Sequence, residues 1–225
     1  MAGAGTELGL DRSGNGNNFS ASDGTLGSDQ TVNSPTNNFA TLDPLSSGAG
    51  VFSEANLKYV STADTGNPTL GISSGKAYAE VLVLSDASNT YIGVCDISQG
   101  LSPTRGGNWT SHGAIAYKFN GDQYKLAVDG GSSTTASYNG ASYTNGDIIG
   151  VAIDVDSDTI TFYKNGSSQG NAADGPSYLS SNGVYSILIY AGGTNFICNF
   201  GQDSSFAGNK TAQGNQDSNE IGDFY

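Results

Sequence analysis

The sequence has few positively charged residues. Eight Lys and Arg stand against 21 Asp and Glu, which gives a net charge of -13. Neutralisation of phosphates by cationic side chains supplies most non-specific binding to nucleic acid. The composition therefore argues against nucleic acid and against an anionic membrane surface as partners.

Long hydrophobic runs are also missing. No apolar stretch approaches the ~20 residues that a membrane-spanning helix needs. The first residues, MAGAGTELGLDRSG, lack the basic region and hydrophobic stretch of an export signal. We therefore expect a soluble chain that carries no export signal and has no membrane partner.

The residues that usually hold metals are scarce. Cys95 and Cys198 lie in apolar strand patterns far apart in the sequence, so buried free thiols are expected and a disulfide framework is not. One histidine, His112, and two strand cysteines cannot form a zinc site of the usual kind. No metal and no cofactor are predicted.

Regular alternation of apolar residues is clearest in GDIIGVAIDVDSDTITFYKNG, residues 146–166. Apolar side chains recur at every second position on both sides of DSDT, which predicts a β-hairpin with one buried face. KNG at 164–166 predicts a second turn. The alternating residues are Ile149, Val151, Ile153, Val155, Ile160 and Phe162.

The segment DVDSD (154–158) is similar to the start of a calcium-binding loop. Its sixth position is Thr159 where an EF-hand has Gly, and its twelfth is Asn165 where an EF-hand has Glu. We therefore interpret the segment as a turn, with calcium bound by other loop carboxylates left open.

Strand patterns continue along the middle of the chain, and no segment shows a helical period. The predicted strands are 77–84, 90–97, 114–119, 123–128, 184–190 and 195–200. Strands linked by hairpins predict an all-β fold of two packed antiparallel sheets. Residues 1–47 predict an extended N-terminal arm, and residues 207–225 a polar C-terminal tail; both could equally be partly disordered.

Three stretches resemble, in order and spacing, the successive hallmarks of a SPRY domain, a concanavalin-like β-sandwich. They are SGKAYAEVLV, YTNGDIIGVAIDVDSDTITFYKNG and VYSILIYAGGTNFICNFGQDSSF, and the resemblance covers residues 48–206. Upstream, LGLDRSGNGNNFS and SDQTVNSPTNNFATLDPL resemble a segment that precedes such domains in virion and tail-associated proteins of phages, particularly marine ones. The resemblance implies a binding module without enzymatic activity, with ligand-contacting loops at one end or face of the sandwich.

The carboxylates bear on an enzymatic alternative, because concanavalin-like sandwiches also include glycoside hydrolases. These enzymes need two carboxyl groups that flank the scissile bond. The chain has four Glu, and only Glu80 lies in a predicted strand, on the face opposite to Val81 and Val83. We interpret Glu80 as a solvated strand residue and predict no enzymatic activity.

Two loops carry the candidate ligand-binding residues. SPTRGGNWTSHG (102–113) contains Arg105, Trp109 and His112, an aromatic platform with hydrogen-bond donors that suits a glycan or a protein hot spot. The alternative is that Trp109 folds inward and plugs the sandwich end. In residues 130–147, Tyr138 and Tyr143 flank Asn-Gly turns and offer broad contact area, although Tyr143 could equally be a core residue.

Two hypotheses about function follow. In the first, the chain is a recognition module on a phage particle that binds a host surface glycan or protein through its loops. In the second, it is a capsid or tail decoration protein whose arms contact neighbouring virion subunits. Either is compatible with a homo-oligomer.

Overall fold

The computed structural model shows two antiparallel β-sheets packed face to face. It describes residues 10–18, 33, 38–46, 50–60, 64–85, 88–98, 113–126, 133–179 and 181–225. Within these ranges no helix is long and apolar enough to cross a membrane. The predicted all-β sandwich is confirmed.

The first sheet has seven strands. In spatial order these are β1 (Val51–Ser53), β2 (Lys58–Val60), β13 (Asn195–Asn199), β4 (Lys76–Val83), β9 (Ile148–Asp154), β10 (Thr159–Lys164) and β11 (Ser167–Asn171). The second sheet has six: β3 (Asp64–Gly66), β12 (Tyr185–Ala191), β5 (Thr90–Asp96), β6 (Ala114–Lys118), β7 (Gln123–Leu126) and β8 (Ser133–Ala136). A separate hairpin pairs β14 (Asn215–Gln216) with β15 (Asp223–Phe224). Short 3-10 helices span Pro44–Ser46 and Pro176–Tyr178.

The main core lies between the two sheets and follows the predicted alternation. In the hairpin of β9 and β10, Ile153 pairs with Ile160 and Val151 with Phe162. These side chains and Ile149 belong to one buried cluster, which confirms the predicted core face. Asn165 and Gly166 have φ values of 48° and 76°, as the two-residue type I′ turn between β10 and β11 requires.

The C-terminal residues 201–225 cover part of the outer face of the seven-stranded sheet. Phe206 is completely buried in a second hydrophobic cluster, where it packs on side chains that point away from the main core. The other buried members are Leu57, Leu82, Ile148 and Ile197. Residues 201–225 therefore pack on this sheet through the buried ring of Phe206, whereas Ile221 is exposed.

The DVDSD segment forms a turn, as predicted. Residues 155–158 connect β9 to β10, and the Asp154 Oδ1 atom accepts a hydrogen bond from the Ser157 N–H at 3.0 Å. The Asp158 Oδ1 atom accepts one from the Ser177 N–H at 2.8 Å. The predicted buried free thiols of Cys95 and Cys198 are also confirmed, and burial raises the pKa of Cys95 to about 12.

Candidate binding surfaces

The sandwich has two ends, and the candidate loops leave from different ones. Cys95 of β5 lies beside Ala114 of β6 by the strand register, so both flanks of residues 102–113 leave from the end where β12 begins. Residues 137–147 run along the other end, where the Tyr143 N–H donates to the Phe119 carbonyl at 2.8 Å. The described flanks of the first loop therefore lie at the opposite end of the sandwich from residues 137–147.

Arg105, Trp109 and His112 lie outside the described residues. Their role in recognition stays a prediction. The residues that flank their segment are described: the Ser98 N–H donates to the Asp96 Oδ1 atom at 2.8 Å, and Gly113 is buried.

Tyr143 is a core residue. It is 3% exposed, and its hydroxyl donates to the carbonyls of Thr90 at 3.0 Å and Tyr117 at 3.1 Å. Burial raises the pKa of the Tyr143 hydroxyl well above its ordinary value. The ligand-contact role is corrected to the core role that the sequence left open, because these bonds require the ring to point inward.

Tyr138 is half-buried and holds its loop against the sandwich. Its ring packs edge-to-face on Phe162 at 5.8 Å and on Tyr117 at 5.6 Å between ring centroids. Its hydroxyl donates to the Gly170 carbonyl, and burial raises its pKa to about 12. The hydroxyl and the ring of Tyr138 already contact other parts of the chain, and its contact with a ligand stays a prediction.

A cavity of about 240 Å³ lies at the end of the sandwich from which residues 102–113 leave. Its lining is mostly apolar and comes from both sheets, with Ala79 and Ile153 from the seven-stranded sheet and Ile187 from the six-stranded sheet. Leu70, at its edge, is 52% exposed. No local sequence pattern predicted this cavity, because its walls come from strands and turns distant in the chain.

The cavity wall contacts Ile97, which lies just before the segment that contains Trp109. Gly71 lines the cavity, and a Cβ atom there would lie 3.0 Å from Ile97 Cδ1 and 2.9 Å from Val184 Cγ1. The Ile97 N–H donates to the Val184 carbonyl at 2.7 Å. The chain thus enters residues 99–112 directly beside the cavity.

Glu80 is buried, and its assignment as a solvated residue is wrong. It is 2% exposed, because the C-terminal residues lie over the face of the sheet that Glu80 occupies. Its carboxyl oxygens accept hydrogen bonds from the Tyr78 hydroxyl, the Asn199 amide and the Tyr225 N–H, each at 3.1 Å. Burial raises the pKa of the Glu80 carboxyl, and the charge of Asp223 adds to this effect.

Similar proteins include a curated relative and solved structures. Over 98 residues the chain is 32% identical to Ran-binding protein 9 of Danio rerio; the match covers 44% of this chain and 15% of that protein. The chain thus spans less than a sixth of that relative's length. The SPRY domain of human HERC1 is 19% identical with a TM-score of 0.51, covering 70% of this chain and 96% of that one. The TRIM65 PSpry domain is 12% identical with a TM-score of 0.51, covering 71% and 88%.

At these identities the likeness to the solved structures concerns the fold. The family model described as SPRY domain matches residues 76–203, more than half of the chain. This matched range contains the strands β4 to β13 of the two sheets. It includes Ala79, Ile153 and Ile187, which line the cavity. The chain therefore belongs to the SPRY domain family.

Proposed function

We propose that this chain is a non-enzymatic protein-binding module that receives an apolar side chain of its partner in the cavity at the sandwich end. SPRY domains generally are binding modules that mediate protein–protein interactions. The family supports the class of partner, and the observation that carries the site is the apolar cavity between the two sheets, beside the segment that contains Trp109.

The size and lining of the cavity suit a side chain as the anchor. An apolar cavity of about 150 Å³ can hold a benzene molecule, and this cavity measures about 240 Å³. An aromatic or large aliphatic side chain therefore fits. Anchors of this kind, buried in a pocket at the centre of an interface, supply most of the binding free energy in protein complexes.

The residues of the neighbouring segment complete the proposed surface. Arg105, Trp109 and His112 are of types enriched at interfaces or able to donate hydrogen bonds. The last described residues before their segment include Ile97, which lies beside Gly71 of the cavity wall. In this proposal they contact the partner around the anchor side chain.

A charge placed at the edge of the cavity tests the proposal. Peptides enriched by the purified chain from a displayed random library would be titrated against Leu70→Asp and against Leu45→Asp. Leu70 lies on the cavity wall, whereas Leu45 is 82% exposed in a 3-10 helix and does not line it. We expect Leu70→Asp to weaken binding at least roughly tenfold, because an unpaired charge would be desolvated in the complex.

The control variant and a glycan array distinguish the other possible outcomes of this experiment. Leu45→Asp should bind as the unsubstituted chain does. Equal binding by both variants would place the site elsewhere, and a library without any enriched peptide would contradict a protein-binding module. Binding on a glycan array with no peptide enriched would favour the glycan partner instead.

The association with a phage particle stays a prediction that depends on the upstream resemblance. Recognition is favoured over assembly through the C-terminal arm, because Phe206 and the Tyr225 N–H already contact the chain's own sheet. Immunogold labelling of particles from a host that expresses this chain is the test. Label at the distal tail tip would support host recognition, label over the shell would support decoration, and its absence would contradict both.

A further inference from the structure

A second cleft lies on the outer face of the seven-stranded sheet, beneath the C-terminal hairpin. Its volume is about 400 Å³. Four aromatic side chains and two carboxyl groups line it: Tyr78, Tyr163, Phe224, Tyr225, Glu80 and Asp217. The cleft is separate from the cavity between the sheets and shares with it only Tyr78.

The aromatic rings stand at steep angles to one another. The centroids of Tyr78 and Tyr163 are 5.9 Å apart and their planes meet at 88°. Tyr78 and Phe224 are 5.1 Å apart at 69°. Tyr78 thus contacts both Tyr163 and Phe224 in an aromatic group that lines the cleft, and the negative faces of aromatic rings attract a cation within about 6 Å.

The polar groups of the cleft favour the same charge. Glu80 and Asp217 are both acidic, and none of the described residues that line the cleft is Lys, Arg or His. The Lys210 ammonium lies outside the lining, 5.9 Å from the centroid of the Tyr225 ring, and donates to the Gly146 carbonyl at 2.6 Å. Carboxylates repel an anionic ligand, so the lining selects for a cation.

We propose that this cleft binds an alkylammonium group, with Tyr78, Tyr163, Phe224 and Tyr225 around the cation and Glu80 and Asp217 supplying the negative charge. The shared chemistry is that of choline and of a lysine side chain, methylated or not. This site does not depend on the protein-binding cavity at the sandwich end.

The position of Glu80 makes the affinity depend on pH. Its carboxyl is held by neutral donors of Tyr78, Asn199 and Tyr225. Tyr163 and Asp217 line the same cleft, the charge of Asp223 acts on Glu80, and the Lys210 ammonium lies near the Tyr225 ring. Because burial raises its pKa, Glu80 takes up a proton more readily than an exposed Glu, and a protonated carboxyl attracts a cation less. Choline affinity should therefore increase as the pH rises through the pKa of Glu80.

Calorimetric titration of the full chain tests the site, with choline as the probe and 3,3-dimethylbutan-1-ol as its neutral analogue of the same shape. We expect choline to bind saturably and the alcohol to bind roughly tenfold more weakly, because only the cation interacts with the ring faces. Tyr163→Leu should weaken choline binding at least roughly fivefold.

A matched control separates the site from a general loss of tyrosine. Tyr124→Leu removes a tyrosine on the outer face of the other sheet, where it contacts Tyr91 at 5.3 Å, and should leave choline binding unchanged. Melting curves of both variants identify any loss of folding. Should Tyr163→Leu unfold, Asp217→Asn replaces it, with an expected weakening of at least roughly twofold.

Two further ligands distinguish the sources of the cation. N-acetyl-lysine amide and its trimethylated form would be titrated beside choline. Tighter binding of either lysine derivative assigns the site to a protein side chain, and tighter binding of choline assigns it to a choline compound. The proposal would be overturned if none of the three cations bound, or if choline and its neutral analogue bound equally. Either result would hold whatever the outcome of the peptide selection.

Discussion

Replacement of Phe162 by Ala tests the core on which both binding surfaces depend. Phe162 is fully buried. Its ring stacks on Tyr117 at 5.6 Å with an angle of 26° between the planes, and meets Tyr138 edge-to-face at 5.8 Å. The replacement removes all of these contacts and leaves a cavity between the two sheets.

The expected loss of stability is in the upper part of the usual range. Phe→Ala in a core costs about 3 to 5 kcal/mol, which combines lost transfer free energy with the cavity left behind. The neighbouring rings cannot close that cavity easily, because the hydroxyl of Tyr117 donates to the Ala141 carbonyl and that of Tyr138 to the Gly170 carbonyl. We therefore expect a decrease of about 4 to 5 kcal/mol in the free energy of unfolding.

Urea unfolding followed by circular dichroism measures this change. The midpoint should fall while the slope with urea stays the same, as for a change in stability alone. Val51→Ala is the control, since Val51 is exposed on β1, and its effect should stay within about 0.5 kcal/mol. A loss below about 2 kcal/mol for Phe162→Ala would refute the reasoning, because it would mean that the surrounding rings collapse into the space.

Three further predictions concern single positions and activity. Burial raises the pKa of Glu80 above its ordinary value of 4.5, so the stability that this residue contributes is present below pH 4.5 and is lost as the pH rises through the raised pKa. Urea titrations over a pH series should show this loss for the unsubstituted chain and not for Glu80→Gln. Parallel plots of the free energy of unfolding against pH for the two proteins would contradict the prediction. Trp109→Ala should leave the melting curve intact and abolish binding to the selected peptides, whereas lost stability with binding unchanged would make Trp109 a structural plug. The purified chain should hydrolyse no polysaccharide at any pH, because none of the four Glu in the sequence stands in a Glu-x-Asp-x-x-Glu arrangement that could supply a glycosidase acid and base. Turnover that disappears in Glu80→Gln would restore the enzymatic alternative.

Much of the fold could be predicted from short stretches of sequence. Alternating apolar residues identified the buried faces of β9 and β10, because successive side chains of a strand point to opposite faces. Asn165 and Gly166 fixed the turn that follows, since both adopt positive φ. The three-residue strands β1, β2 and β3 were missed, because so short a strand carries no alternation that distinguishes it from a turn-rich arm.

The candidate sites could be predicted less well, because each is assembled from distant segments. The two Asn-Gly turns suggested an exposed Tyr143, but its environment is set by the carbonyls of Thr90 and Tyr117. The cavity walls come from β4, β9 and β12 together. Local composition contains no information about contacts between segments that are distant in the sequence.

The position of Glu80 shows most clearly what the sequence determined and what the tertiary structure determined. The sequence by itself determined that Glu80 faces away from Val81 and the main core, because parity along a strand fixes the side on which a residue lies. Only the tertiary structure decided what covers that side: the C-terminal residues lie over it, the Tyr225 N–H bonds to the carboxyl, and aromatic rings line the adjoining cleft. The physical reason is that strand periodicity is local, whereas burial depends on which distant segment packs on the exposed face.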